Sequence, residues 1–452
     1  YEISTRDWSS DVCSSDLSMN KPLCIVSCPI DTYSGYGARA RDLVKAIIEL
    51  KSNEWDIKII PQRWGECSWG FINNHLEEWS FLNKYLFLYP QLPSQPEIWI
   101  QHTVPNEFQP VGKYNIGITA GIETTVVPAD WLEGVNRMNT TWVSSKHSKK
   151  IFEETKFEKK DQQGRALGVL QLEKPMEIIF EGANLNVYKA LDKTEIKFNL
   201  DEVKEDFAFL FVGHWINLNS PMNEDRKNIT LLIKAFYETF KNKQNKPALI
   251  LKTSGAVSSY MDRDAVLKNI NSIKKTVNST NLPNIYLLHG EFTDIEMNEL
   301  YNHSKVKAMV SLTKGEGFGR PLLEFSLTKK PIIASNWSGH IDFLHPKNNI
   351  LLGGNLTQVH PSIANQFLLK ESAWFSVNPA EVGEALTNVH KYYSEYLPGA
   401  RKQGEYNKEK FSFEAMKEVV NKQLIKVPEF PTQVQLKLPQ LKKIELPKLN
   451  KV

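Results

Sequence analysis

Two glutamates eight positions apart, Glu316 and Glu324, bracket a turn with glycines at alternate positions, Gly315, Gly317 and Gly319. A carboxylate accepts hydrogen bonds from neighbouring hydroxyls, so Glu324 suits a ribose and Glu316 suits a sugar. Just upstream, residues 306–312 (VKAMVSL) form an apolar run of the kind buried on both faces of a parallel sheet. The glycines let the backbone take φ > 0 and approach a ligand closely. Pro321 fits the first turn of a helix, where its missing N–H has no partner to lose. Strand, glycine turn and helix N-terminus together make an anion site, because free amides and the helix dipole both favour a phosphate there. Gly317, Phe318, Gly319 and Arg320 are assigned to the same ligand.

Other residues fall at the mouths of expected strands. Arg226 and Lys227 follow the apolar strand 207–213 and open a helix expected over 229–240, a place where cations can neutralise a leaving diphosphate. Lys252 ends the strand 247–253. In the first half of the chain, Gly35-Tyr36-Gly37 reads as a loop between the strand 23–27 and the amphipathic helix 38–50, again a phosphate-cradle geometry. His102 stands just beyond the strand 97–101, where open α/β sheets place ligands, with Glu123 on the same rim. His340, in the turn after the strand 331–335, is a second acceptor-side candidate. The aromatics between Trp64 and Tyr89 read mainly as packing.

These elements alternate as strand, loop and helix in both halves, which implies parallel sheets with crossover helices. The spacing from Glu316 to Glu324, with Gly-Phe-Gly-Arg-Pro between, resembles the signature of retaining GT-B glycosyltransferases, especially family 4. The resemblance implies an α/β GT-B fold: two Rossmann-like domains with parallel sheets facing a central cleft. It implies a nucleotide-sugar co-substrate, with a UDP-sugar favoured, and no other cofactor. It assigns His102, Glu316 and Lys227 to catalysis. It assigns Gly35, Tyr36, Gly37, Arg226, Lys252, Gly317, Phe318, Gly319, Arg320 and Glu324 to the donor. His214 stands where the family pattern usually has an arginine, a role that Arg226 is expected to take over. The reaction expected is metal-independent, since no Asp-x-Asp pair is positioned as in metal-dependent transferases. Ser34-Gly-Tyr-Gly37, His102 to Phe108 and the proline-containing tail resemble transferases carried by large tailed bacteriophages. That likeness makes 5-hydroxymethylated pyrimidines in viral DNA one acceptor, and a surface glycan, lipid or protein another. An inactive nucleotide-sugar-binding module keeps the same fold. A GT-B phosphorylase requires a pyridoxal-phosphate lysine and usually a longer chain.

The expected boundaries are 19–188 for the first, acceptor domain, 189–410 for the donor domain, 411–425 for a crossover helix and 426–452 for a basic tail. Residues 1–18 lack periodicity and resemble translated sequencing-adapter read-through from a metagenomic assembly, which makes Met19 the expected natural start. The net charge of +3 gives no general case for a nucleic-acid binder, although the tail's lysines could touch an acidic polymer. Four cysteines in 452 residues make no disulfide framework, and no apolar run is long enough to span a membrane. A cytoplasmic location is expected, that of the host if the source is viral.

Overall fold

The computed structural model describes residues 21–89, 91–92, 94–216, 224–255 and 258–430. The segment 1–18, Met19 and most of the tail, from 431 onward, lie outside the described residues.

The first lobe runs β1 (Leu23–Cys28), α1 (Gly35–Lys51), β2 (Asp56–Pro61), the single-turn helices α2 (Phe71–Asn74) and α3 (Leu76–Trp79), β3 (Ile98–His102) and β4 (Tyr114–Ile118). It continues through α4 (Ala129–Arg137), β5 (Thr140–Val143), α5 (Lys146–Glu154), β6 (Phe157–Lys160), β7 (Ala166–Leu170) and β8 (Met176–Ile178). Six strands form one parallel sheet in the order β2-β1-β3-β4-β5-β8. The charged stretch 156–174, expected as a surface excursion, folds into the antiparallel hairpin β6–β7, whose Leu167 and Val169 face solvent.

The second lobe runs β9 (Ala208–Val212), α6 (Ile229–Phe240), β10 (Ala248–Lys252), α7 (Tyr260–Lys275), β11 (Ile285–Leu288), α8 (Asp294–Asn302), β12 (Val306–Ser311), α9 (Arg320–Ser326) and β13 (Ile332–Ser335). Then come β14 (Ile350–Leu352), β15 (Gly354–Gln358), β16 (Ala373–Val377), α10 (Pro379–Lys391), α11 (Tyr393–Lys410) and α12 (Phe413–Leu424). Its parallel sheet is ordered β11-β10-β9-β12-β13-β14, and β15–β16 form a separate antiparallel pair. The expectation of two Rossmann-like parallel sheets holds. Apolar runs such as Ala208–Val212 are buried because helices cover both faces of each sheet. Thr293 caps α8 through a reciprocal capping box with Glu296.

Strand order reverses between β1 and β3 in one sheet and between β9 and β12 in the other. Ligands in open α/β sheets bind outside the carboxyl ends of strands at such points. Both reversals present loops to the space between the lobes. The chain passes between lobes twice at one place: Ala183 N–H donates to Phe411 O, and Phe413 N–H donates to Ala183 O, each at 2.8 Å. After that crossing, Phe413, Met416, Val420 and Leu424 of α12 join the buried core of the first lobe, and Val427 and Phe430 pack against it.

Met416 is 1% exposed within that core. Met416→Ala is therefore expected to destabilise the chain by about 2–5 kcal/mol, read as a lower urea midpoint for the first lobe. An unchanged midpoint would mean that α12 contributes little to holding it.

Candidate active site

At the first sheet's reversal, α1 begins under a Ser34 cap, whose hydroxyl accepts from Gly37 N–H at 2.9 Å. Gly35-Tyr36-Gly37 is thus the first turn of the helix, not the loop that the sequence suggested. Gly37 is needed for packing, since a Cβ there would lie 2.4 Å from Thr32 O. The Tyr36 ring stacks on Trp64 at 3.8 Å, and its hydroxyl meets Thr119 Oγ1 at 3.0 Å. His102 ends β3, 5.2 Å from the Tyr36 ring and 1% exposed, and neither ring nitrogen has a partner among the described residues. Burial, with the nearby Arg39 charge, holds it well below the usual histidine range, so it is neutral.

At the second reversal two cations converge on one carboxylate. Lys227 Nζ lies 2.5 Å from Glu316 Oε1, and Arg226 Nη1 lies 3.4 Å from Oε2. Arg226 also donates to Gly315 O at 2.8 Å and reaches Glu123 of the first lobe at 3.7 Å. Burial alone raises a carboxyl's pKa; here the charges of Lys227 and Arg226 outweigh it and draw Glu316 down to about 2. Burial lowers Lys227, with Glu316 opposing. The glycine turn answers to the other lobe. A Cβ on Gly315 would lie 1.9 Å from Glu123 O, and one on Gly317 would lie 2.7 Å from Ala120 O. Of the three glycines only Gly319 has a positive φ, 96°. The Ser144 hydroxyl completes the contact by donating to Gly317 O at 2.9 Å.

A second ion cluster surrounds Arg320. Its Nε meets Glu324 Oε1 at 2.7 Å, its Nη1 meets Asp42 Oδ2 of α1 at 2.6 Å, and Glu181 lies 3.8 Å away. Three carboxylates share one guanidinium. Burial, helped by the Asp294 and Asp42 charges and opposed by Arg320, pushes Glu324 up to about 8.

Two cavities meet at Lys227. The smaller is lined by Lys227, Glu316, Gly319, Pro321 and Leu322. The other, of about 190 Å³, lies between the lobes and includes Glu123, Arg226 and Lys227. Glu324 lines neither, although Pro321 and Leu322 of its helix do.

Residues 192–358 match the family model described as glycosyl transferases group 1. No curated protein sequence matches the chain. Among solved structures, the chain is similar to Anabaena Alr3699/HepE in complex with UDP and glucose (14% identity, TM-score 0.59, covering 89% of this chain and 99% of that one). It is likewise similar to sucrose-phosphate synthase from Thermosynechococcus elongatus (10% identity, TM-score 0.57, 90% and 98%). A glycosyltransferase from Rickettsia africae matches at 15% identity and TM-score 0.56, covering 90% and 99%. At these identities the likeness establishes the fold: two parallel six-stranded sheets with helices, arranged as in GT-B glycosyltransferases.

The matched segment holds Arg226, Lys227, Lys252, Glu316 to Arg320, Glu324 and His340. The structure gathers Arg226, Lys227, Glu316 and Glu123 around one point. Other expected residues do something else. The Phe318 ring is 2% exposed and packs against Phe343 at 4.9 Å, so its side chain belongs to the core. His340 is fully buried beside the glycine turn, with Nε2 2.6 Å from Ser335 O and Nδ1 without a partner among the described residues. Lys252 donates to Gly290 O at 2.7 Å and ties two strand ends together. Asp42, Glu181 and Arg39 were not singled out from the sequence. The available signal was the run of charges Arg39, Arg41 and Asp42 near the start of α1, all buried, unlike the helix's later charges Lys45, Glu49 and Lys51. Among the described residues, no group of three or more His, Cys, Asp and Glu side chains is placed to hold a metal ion, and no helix is long and apolar enough to cross a membrane.

The depressed Glu316 pKa has a definite sign. A carboxyl held below its unfolded value near 4.5 stabilises the fold above that pH, and the contribution fades as pH falls toward about 2. The shift corresponds to roughly 3 kcal/mol. Urea unfolding of the wild type should lose this much between pH 4.5 and 2, and Glu316→Gln should show a flatter profile across the same window. Parallel profiles would show that the pairing with Lys227 carries no net weight.

Proposed function

We propose that this chain is a retaining, metal-independent glycosyltransferase that moves a sugar from a UDP-sugar to an acceptor hydroxyl. The observation carrying this reading is the convergence of Lys227 and Arg226 on Glu316 at the second sheet's strand reversal, facing the first lobe. The group 1 match and the neighbour crystallised with UDP and glucose support the choice of donor class.

In this reading the donor diphosphate takes the place of the Glu316 carboxylate beside Lys227 and Arg226. Their charge offsets the negative charge that grows as the sugar C1–O bond breaks, the main catalytic contribution. Glu316, released, accepts hydrogen bonds from the sugar hydroxyls. His102, neutral and without partners, contacts the sugar from the first lobe. Glu324 accepts from the ribose once Arg320 turns fully to Asp42 and Glu181. The acceptor oxygen forms the new bond to C1 on the face the diphosphate leaves, and its proton passes to the departing phosphate oxygen. The configuration at C1 is retained without a protein nucleophile.

Two acceptor classes fit this reaction: a 5-hydroxymethylated pyrimidine in viral DNA, and a hydroxyl of a surface glycan, lipid or protein. Incubating the enzyme and UDP-glucose with duplex DNA containing 5-hydroxymethylcytosine separates them. Glucosylated base supports the first, and its absence with every UDP-sugar removes it.

UDP should raise the melting temperature of the chain. Glu324→Ala should weaken UDP binding by about 1–3 kcal/mol for each hydrogen bond lost, measured by calorimetric titration. UDP binding that is absent, or untouched by Glu324→Ala, would sink the donor assignment. Binding without sugar transfer to any acceptor or to water would favour an inactive binding module.

A further inference from the structure

Arg320 is shared between the lobes. Its Nε pairs with Glu324 Oε1, four residues along α9, at 2.7 Å. Its Nη1 pairs with Asp42 Oδ2, on α1 of the first lobe, at 2.6 Å. Glu181 lies 3.8 Å from the same Nη1, beyond hydrogen-bond distance. At most 18% of any of these four side chains is exposed, so the cluster sits largely out of water.

That burial restricts where Arg320 can go. Leaving a buried cation without a partner costs far more than one hydrogen bond returns. A ribose that takes Glu324 must therefore pass Arg320 to another acid already within reach. Asp42 is that acid, since it already holds Nη1 whereas Glu181 stands off. Asp42 also governs Arg320 before any ribose arrives. A guanidinium presents its donors as a rigid planar fork and pairs most strongly with a carboxylate through two parallel bonds. With Nη1 tied to Asp42, Arg320 reaches Glu324 through Nε alone. Freed from Asp42, it could close on Glu324 with two nitrogens and cover both oxygens that hydroxyls would need.

We propose that Asp42 is a positioning residue for the donor site: it holds Arg320 aside, without touching the nucleotide, so that Glu324 can accept the ribose hydroxyls. The proposal rests on the reading of Glu324 as the ribose acceptor and deepens it. Ribose recognition in the second lobe then depends on a first-lobe side chain that is in place only where the lobes meet.

The test compares UDP with 2′,3′-dideoxy-UDP, which keeps the base and the diphosphate but lacks both ribose hydroxyls. Calorimetric titration gives the Kd of each for the wild type, Asp42→Asn, Asp42→Ser and Asp42→Glu. The first two variants leave Arg320 paired with Glu324, so no buried cation is stranded. The wild type should prefer UDP. Asp42→Asn and Asp42→Ser should each weaken UDP about tenfold, the worth of one hydrogen bond, and leave the dideoxy nucleotide at its wild-type Kd. Asp42→Glu, which keeps the carboxylate, should restore the preference. The proposal is overturned if Asn and Ser at this position retain the wild-type preference. It is overturned equally if they weaken both nucleotides by the same factor, as a residue that merely braces the lobes would. A wild type that binds the two nucleotides alike, or binds neither, overturns the donor reading itself and this proposal with it.

Discussion

The cleft depends on how closely two backbones approach each other. The first-lobe segment around Ala120 to Glu123 lies against the second-lobe turn from Gly315 to Gly317, so that even a methyl group on either glycine would collide with a carbonyl oxygen. That approach brings Glu123 within 3.7 Å of Arg226 and seats Gly317 O under the Ser144 hydroxyl. Water is displaced from the junction, and charges there interact far more strongly than at an open surface. Glu316, buried, is stable as an anion only because Lys227 and Arg226 are beside it.

The same reasoning governs the Arg320 cluster, with a different balance. One guanidinium serves Glu324, Asp42 and Glu181, and burial, with the Asp294 and Asp42 charges and against Arg320, holds Glu324 less readily ionised than an ordinary glutamate. Asp42 and Glu181 come from the first-lobe helix α1 and the segment leaving that lobe, so the cluster also spans the cleft. In each cluster a buried carboxyl group is held by a cation placed beside it.

The sequence by itself determined the two-sheet architecture. Apolar strands separated by helices leave a parallel sheet little alternative, since a continuous apolar run must be covered on both faces. It also determined a local feature that depends only on neighbours in the chain, Pro321 in the first turn of α9. The convergence of Lys227 with Glu316 was legible in part, because each stands at a strand end of one sheet. Helices such as α7 and α11 were not, because few of their residues are buried and their apolar periodicity is weak.

Only the tertiary structure decided what the glycines, His340 and Phe318 are for. A glycine needed to approach a ligand and one needed to approach another lobe are the same letter, and the partner of Gly315 is almost two hundred residues away. Phe318 lies within the motif, yet its side chain packs in the core of the second lobe, and His340, sixteen residues after Glu324, is held by Ser335 O. The first-lobe partners of Arg320, Asp42 and Glu181, were hidden for the same reason. Asp42 precedes it by 278 positions, and no local pattern encodes an ion pair whose two halves meet only when the lobes close on each other.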